Sequence, residues 1–191
     1  MNLYGSPELD IVSSDEVYTP PGFFKRLRLE FDLDVCAPAG GLPWIPAKRH
    51  YSIADDGLAS PWEGRVWCNP PYSTATPWVR KFIQHGNGVI VIPMGKSKAF
   101  VELWSAADAL TVPSVLNTIH GDRCKFLKDG KPYSISFGVI LAAFGEECVQ
   151  AIGRLGVLRE HSSRLEAIRE RLARLEYDHA AKCGGDGRLE P

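Results

Sequence analysis

The chain has 191 residues, 45% of them hydrophobic and 24% charged, with a formal net charge of -1. One sizeable core fits that length, and the composition excludes disordered, collagenous and disulfide-rich classes. The charge excludes a globally basic nucleic-acid binder and leaves only a local basic face for such a partner.

In chain order, "VYTPPGFFKRLRLEF" predicts a helix with Thr19 as N-cap, Pro20 in its first turn, and Phe24, Leu27 and Phe31 at helical spacing. "FDLDVCA" reads as a short strand running into the Gly/Pro-rich "APAGGLPWIPA", and "GRVWCN" as a second strand. "TPWVRKFIQHG" is a helix stopped by Gly86, followed by "GVIVIPM", a continuous apolar run of the kind found in buried parallel strands. "SKAFVELWSAA" is the next helix and "ALTVPSV" a weaker strand. "KFLKDGKPYSISFGVILAAFG" reads as a hairpin pair with Asp129-Gly130 at its turn. This alternation predicts an α/β fold whose sheet is mostly parallel with an antiparallel edge.

From Leu158 the sequence becomes highly charged, and Leu158, Leu165, Ile168, Leu172 and Leu175 fall close to a heptad seam. The expected organisation is one domain over residues 1–157 and an amphipathic helix with a frayed end over residues 158–191. That helix either lies on its own domain or pairs two copies into a homodimer. No internal repeat or low-complexity segment is evident.

The five cysteines, Cys36, Cys68, Cys124, Cys148 and Cys183, are odd in number, widely spaced and without a C-x-x-C pair. That argues against a zinc site or a disulfide framework and fits a reducing cytoplasm. His50, His85, His120, His161 and His179 are scattered, so no metal is expected. "MNLYGSPELD" has no basic or apolar leader pattern, and no apolar run approaches membrane-spanning length; the expectation is a cytoplasmic protein without a membrane segment.

The chemistry concentrates in "GRVWCNPPYSTATPWV", where an apolar strand runs straight into Asn69-Pro70-Pro71-Tyr72. Pro71 fixes its own φ and pushes Pro70 into an extended conformation, and neither residue has a backbone N–H. The carbonyls of Asn69 and Pro70 are therefore stiffly placed acceptors. An exocyclic amino group on a base has two hydrogens, so the Asn69 side-chain oxygen and the Pro70 carbonyl can take one each and orient the nitrogen lone pair out of the ring plane. Tyr72 can stack on the base face. Such a cradle serves a base that has been removed from the duplex.

These segments resemble phage-type DNA N6-adenine methyltransferases. The resemblance runs from "DEVYTPPGFF" through "FDLDVCA", "DDGLASPWEGRVWCNPPY" and "WVRKF" to "GDRCKF" and the final strand pair. It implies a Rossmann-like class I methyltransferase sheet with an antiparallel C-terminal hairpin. It also implies a cofactor cleft at the strand C-termini and transfer of a methyl group from S-adenosylmethionine to the adenine amino nitrogen in DNA. By position, Tyr18, Thr19 and Pro20 look like the segment beside the methionine end of the cofactor. The stretch from Asp34 through Cys36 and Ala37 to Gly40 looks like the cofactor loop, and Asn69, Pro70, Pro71 and Tyr72 look like the catalytic motif, with Asn69 also at the cofactor.

One departure stands out: the usual G-x-G of a cofactor loop is replaced by Ala37-Pro38-Ala39-Gly40-Gly41. Asp34 still sits where a strand ends, at the usual ligand crevice of an open α/β sheet, where its carboxylate can accept from the cofactor ammonium. Asp55 and Asp56 form a second acidic pair, of which Asp56 is the favoured cofactor contact. The reaction needs alignment of nitrogen, methyl carbon and sulfur rather than a nucleophilic triad.

Contacts to DNA are expected from local basic clusters. "GDRCKFLKDGKPY" brings Arg123, Lys125, Lys128 and Lys131 onto the hairpin with Phe126 and Tyr133 interleaved, and Lys96 and Lys98 follow a strand. Arg123 is favoured because it matches the family-like "GDRCKF". Alternatives are a cytosine-N4 methyltransferase, which more often has Ser in place of Asn69, and a protein-glutamine methyltransferase, against which "DEVYTPPGFF" argues. A DNA-binding module of the same fold without activity is the remaining one.

Overall fold

A computed structural model describes residues 17–113, 125–135 and 137–161. In chain order its elements are α1 (Pro21–Leu27), β1 (Phe31–Asp34), β2 (Ala47–His50), β3 (Val66–Cys68), α2 (Ala75–His85), β4 (Gly88–Pro93), α3 (Lys98–Ala106) and β5 (Ala109–Pro113). There follow β6 (Phe126–Lys128), β7 (Lys131–Tyr133), β8 (Val139–Phe144), α4 (Glu146–Gly153) and β9 (Gly156–Glu160).

The apolar runs of β3, β4 and β8 are buried along almost their whole length, and they form the middle of a 7-stranded sheet ordered β2-β1-β3-β4-β8-β5-β9. β1 is parallel to β2 and β3, and β3 is parallel to β4. β8 is antiparallel to β4 and β5, and β9 is antiparallel to β5. The sheet is thus mostly parallel, with β1 to β5 running one way, and its order is compatible with a methyltransferase fold.

Side chains alternate between two helical layers, as the strand period of two requires. On one face Trp67, Val89, Val91, Leu141 and Ala143 pack against Phe23, Phe24 and Leu27 of α1 and Val149 and Ile152 of α4. On the other, Val66, Cys68, Ile90, Ile92, Ile140 and Ala142 pack against Val79 and Phe82 of α2 and Leu103 of α3. Trp67 is fully buried, with ring centroids of Phe23, Phe24 and Phe31 at 5.6, 5.0 and 5.6 Å.

Several expectations are corrected. Thr19 is not the N-cap of α1: Pro20 occupies that place in an extended conformation and Pro21 begins the helix, because a proline needs no N–H donor at the first turn. Phe31 belongs to β1, since Arg28 adopts a left-handed conformation that ends the helix after Leu27. Asp129 and Gly130 do form the turn, both with positive φ, but the hairpin is only β6 and β7 and makes its own 2-stranded sheet. Two strands of the main sheet run against the other five: β9, which forms the expected antiparallel edge beside β5, and β8, which lies inside the sheet between β4 and β5. Finally, Leu158, Arg159 and Glu160 finish β9 by pairing with β5, so no helix begins at Leu158. Residues from 162 onward lie outside the described residues.

Candidate active site

The parallel strands β1 to β4 all end at one edge of the sheet, and the turns that follow them build a cleft there, where open α/β sheets bind ligands. After β1, the buried Asp34 carboxylate accepts the Cys36 N–H at 3.2 Å and so fixes the turn that carries Cys36 and Ala37. Burial pushes the Asp34 carboxyl up to about 7, against the single lowering hydrogen bond from Cys36. After β2, Ser52 and Asp55 form a capping box around a short 3-10 turn, Ile53–Asp55, and these hydrogen bonds hold the Asp55 carboxyl below its ordinary range.

The cleft has two lobes that share Cys36, Ala37, Ile53 and Pro71. The first, about 350 Å³, is walled further by Val17, Tyr18, Pro38, Ala39 and Asn69. The second, about 380 Å³, is walled by Val35, Ser52, Asp56, Gly57 and Trp78. Gly57 is required there, because a Cβ would come within 2.3 Å of the Val35 carbonyl and 3.0 Å of the Trp78 ring. Lys81, reaching over from α2, donates to the carbonyls of Gly57, Leu58 and Ser60 and staples the loop beneath this lobe.

β3 delivers Asn69-Pro70-Pro71-Tyr72 to the same edge. Asn69 Nδ2 donates to the Val17 carbonyl at 2.8 Å, while its Oδ1 is buried without a partner. Pro71 precedes a 3-10 turn, Tyr72–Thr74, that leads into α2. Tyr72 lines neither lobe; it walls another hollow, of about 180 Å³, together with Ser73, Thr76, Pro93 and Ser97. Its hydroxyl is buried without a partner, which pushes the phenol well above its ordinary range. Phe137 meets its ring edge-on.

The expected site residues are therefore placed as follows. Tyr18, Cys36, Ala37 and Asn69 come together on the first lobe, and Cys36, Ala37 and Asp56 on the second. Asp56 is exposed, left-handed at φ 47, and its Oδ1 accepts from Leu58 N and Ala59 N. Thr19 and Pro20 are buried, Thr19 with its hydroxyl unpartnered, and Asp34 lies beneath the Cys36 turn rather than on a wall. Lys96 and Lys98 are exposed where β4 passes into α3. Lys125 and Lys128 lie on or beside the hairpin, with Lys128 over the Tyr133 ring at 5.8 Å. Arg123 lies outside the described residues. Among the described residues no group of three or more His, Cys, Asp and Glu is placed to hold a metal, and no helix is long and apolar enough to cross a membrane.

The structure adds residues that sequence reasoning passed over. Ile53 is 94% exposed yet lines both lobes, and Trp78, from α2, also lines the second. Trp44 Nε1 donates to the Thr19 carbonyl at 3.0 Å, tying the Gly/Pro-rich loop to the segment before α1. Tyr18 exchanges two backbone hydrogen bonds with Leu127 of the hairpin, at 2.8 and 2.9 Å.

Residues 9–137, more than half of the chain, match the family model described as DNA N-6-adenine-methyltransferase (Dam). No curated protein and no solved structure matches.

Proposed function

We propose, from the premise that this chain belongs to the DNA N-6-adenine-methyltransferase (Dam) family, that it transfers the methyl group of S-adenosylmethionine to the N6 amino nitrogen of adenine at particular sites in DNA. The observation that carries the reading is Asn69 Oδ1, a buried acceptor without a partner at the end of a central strand. A buried orphan acceptor costs stability unless a ligand donor meets it.

The residues present fit the cofactor. The two lobes have a waist at Cys36, Ala37, Ile53 and Pro71, as a molecule with an amino-acid end and a nucleoside end requires. Tyr18 and Asn69 would flank the methionine end, with the buried Asp34 and the Cys36 turn beneath it. Asp56, Ile53 and Trp78 would hold the nucleoside end, the carboxylate toward the ribose hydroxyls and the apolar pair against the ring. When bound, the cofactor supplies an activated methyl group, so the chain's own task is alignment.

Asn69 Oδ1 and the Pro70 carbonyl each accept one hydrogen of the amino group, which turns the nitrogen lone pair toward the cleft. Tyr72 and Phe137 give an extruded base an aromatic surface. Lys125, Lys128 and Lys131 on the hairpin, with Lys96, Lys98 and Arg123, are assigned to phosphates. The leucine stripe Leu165, Ile168, Leu172 and Leu175 is assigned to pairing of two copies.

Incubation with labelled S-adenosylmethionine and either DNA or protein, followed by nucleoside analysis, tests this. Label in N6-methyladenine is the expected result. Label in N4-methylcytosine, in glutamine of a protein, or in nothing at all sinks the reading.

A further inference from the structure

Asn69 carries a donor and an acceptor on one amide, and rotating that amide by half a turn exchanges them without changing its shape. The Val17 carbonyl, 2.8 Å from Nδ2, decides between the two. In the rotated form two acceptors would face each other and the NH2 would point where an acceptor is needed.

Val17 is itself held from several sides. The next residue, Tyr18, is bonded through both its N–H and its carbonyl to Leu127 of β6, and the residue after that accepts the Trp44 indole N–H through its carbonyl. Val17 is also 3% exposed, its side chain part of the core.

We propose that the Val17 main-chain carbonyl is a positioning group for methyl transfer: it locks the Asn69 amide with Oδ1 toward the cleft, and Trp44 and Leu127 hold the carbonyl in place. The inference rests on Asn69 being the acceptor of the substrate amine. It makes the donor half of that amide as necessary as the acceptor half, and it makes the hairpin strand part of the support of the reacting group.

The test is Asn69→Asp, which keeps an acceptor toward the cleft but places a second one against Val17. Only the protonated carboxyl can donate to that carbonyl. Single-turnover methylation is measured for the variant and the wild type between pH 9 and pH 5.5, and the ratio of the two is taken at each pH. Tyr18 and Cys36 line the same lobe, Cys68 and Tyr72 flank the segment, Asp34 ends the neighbouring strand, and Lys125 and Lys128 charge the hairpin. All are present in both proteins, and the same ratio measured for Asn69→Ala, which adds no ionisable group, isolates the contribution of the introduced carboxyl.

At pH 9 the ratio should be at least about tenfold below one, on the scale of a misdirected active-site hydrogen bond, and it should climb as the pH falls. A ratio that does not change with pH, at any level, overturns the proposal. Trp44→Phe, which keeps the ring and removes the N–H, should lower turnover severalfold while S-adenosylhomocysteine affinity stays the same; a folded variant with wild-type turnover removes Trp44 from the support. Failure of the underlying reading is distinguishable, because it would be seen as full activity in Asn69→Ala.

Discussion

Tyr72 and Phe137 meet edge to face, with ring centroids 5.7 Å apart and planes at 74°, although 65 positions separate them and Phe137 belongs to the lead-in of β8. The contact leaves the Tyr72 hydroxyl buried without a partner. Tyr72→Phe should therefore keep most of the methylation activity and leave the fold as stable or more so, since an unsatisfied buried hydroxyl costs about 1–3 kcal/mol. Tyr72→Ala should instead lose roughly 1–3 kcal/mol of DNA affinity in the presence of cofactor, the worth of one stacked base. Thermal melts with DNA-binding titrations check both, and a Tyr72→Phe protein that melts normally but is inactive would show that the hydroxyl touches substrate.

Loss of the Asn69 amide should fall on turnover. Asn69→Ala is expected to bind S-adenosylhomocysteine as the wild type does and to methylate at least about a hundredfold more slowly, the scale of removing one preorganised hydrogen-bonding group. Calorimetry and single-turnover rates separate the two effects.

The buried Asp34 makes stability depend on pH in a definite direction. Burial pushes its carboxyl up to about 7 from the ordinary 3.8, so between those values the folded chain holds a proton that the unfolded chain has released. The contribution is fully present below about pH 3.8 and is lost as the pH rises through about 7. Melting temperatures of the cofactor-free protein should fall over that window, and Asp34→Asn should flatten the fall. If the cofactor ammonium meets this carboxylate, binding below pH 7 releases a proton, and the calorimetric heat will differ between buffers of different ionisation enthalpy.

Lys81 donates to three carbonyls of the loop under the second lobe and lies 5.1 Å from the Trp62 ring centroid. Lys81→Met keeps the stem and strips the donors, so the fold should lose about 1–3 kcal/mol and S-adenosylhomocysteine should bind more weakly. Denaturant unfolding of the free protein and calorimetry give the two numbers; unchanged affinity would show that the loop does not form the ligand wall.

Removing residues 162–191 leaves β9 intact, whereas a cut at Leu158 would take three of its residues. If the leucine stripe pairs two copies, light scattering should give less than half the mass after this deletion, since each chain also loses 30 of its 191 residues. Equal monomeric masses before and after would end that assignment.

The segments legible in the sequence were those whose burial or chain chemistry is local. β3, β4 and β8 are apolar from end to end, α2 is closed by Gly86 at φ 71, and Pro70-Pro71 announces a rigid turn wherever it sits. β2 was illegible because "AKRH" is an exposed edge strand with no apolar signature. β9 was hidden because Leu158 also fits the leucine spacing of the following residues, and pairing with β5 overrode that pattern. Of the cleft, the placement of Asp34 at the end of β1 and of Asn69 just after β3 could be read from position alone. Phe137, Trp44 and Lys81 could not, since each acts across 21 or more positions on a residue of another segment.

The reversed direction of β8 has a consequence for how the enzyme can diversify. Because β8 starts opposite Pro93, at the edge where β5 also ends, the chain leaves the sheet after Pro113 and re-enters it at Val139 on the side of the cleft. Of the described residues between those points, the hairpin and Phe137 lie off the main sheet, and the two ends of the stretch stay side by side whatever its length. Closing a longer stretch costs little, since the entropy grows only with the logarithm of its length. Insertions at the exposed Asp129-Gly130 turn therefore leave the strands that lead to Asn69 in register, whereas Phe126, buried in the core, and Leu127, bonded to Tyr18, tie the hairpin to the fold.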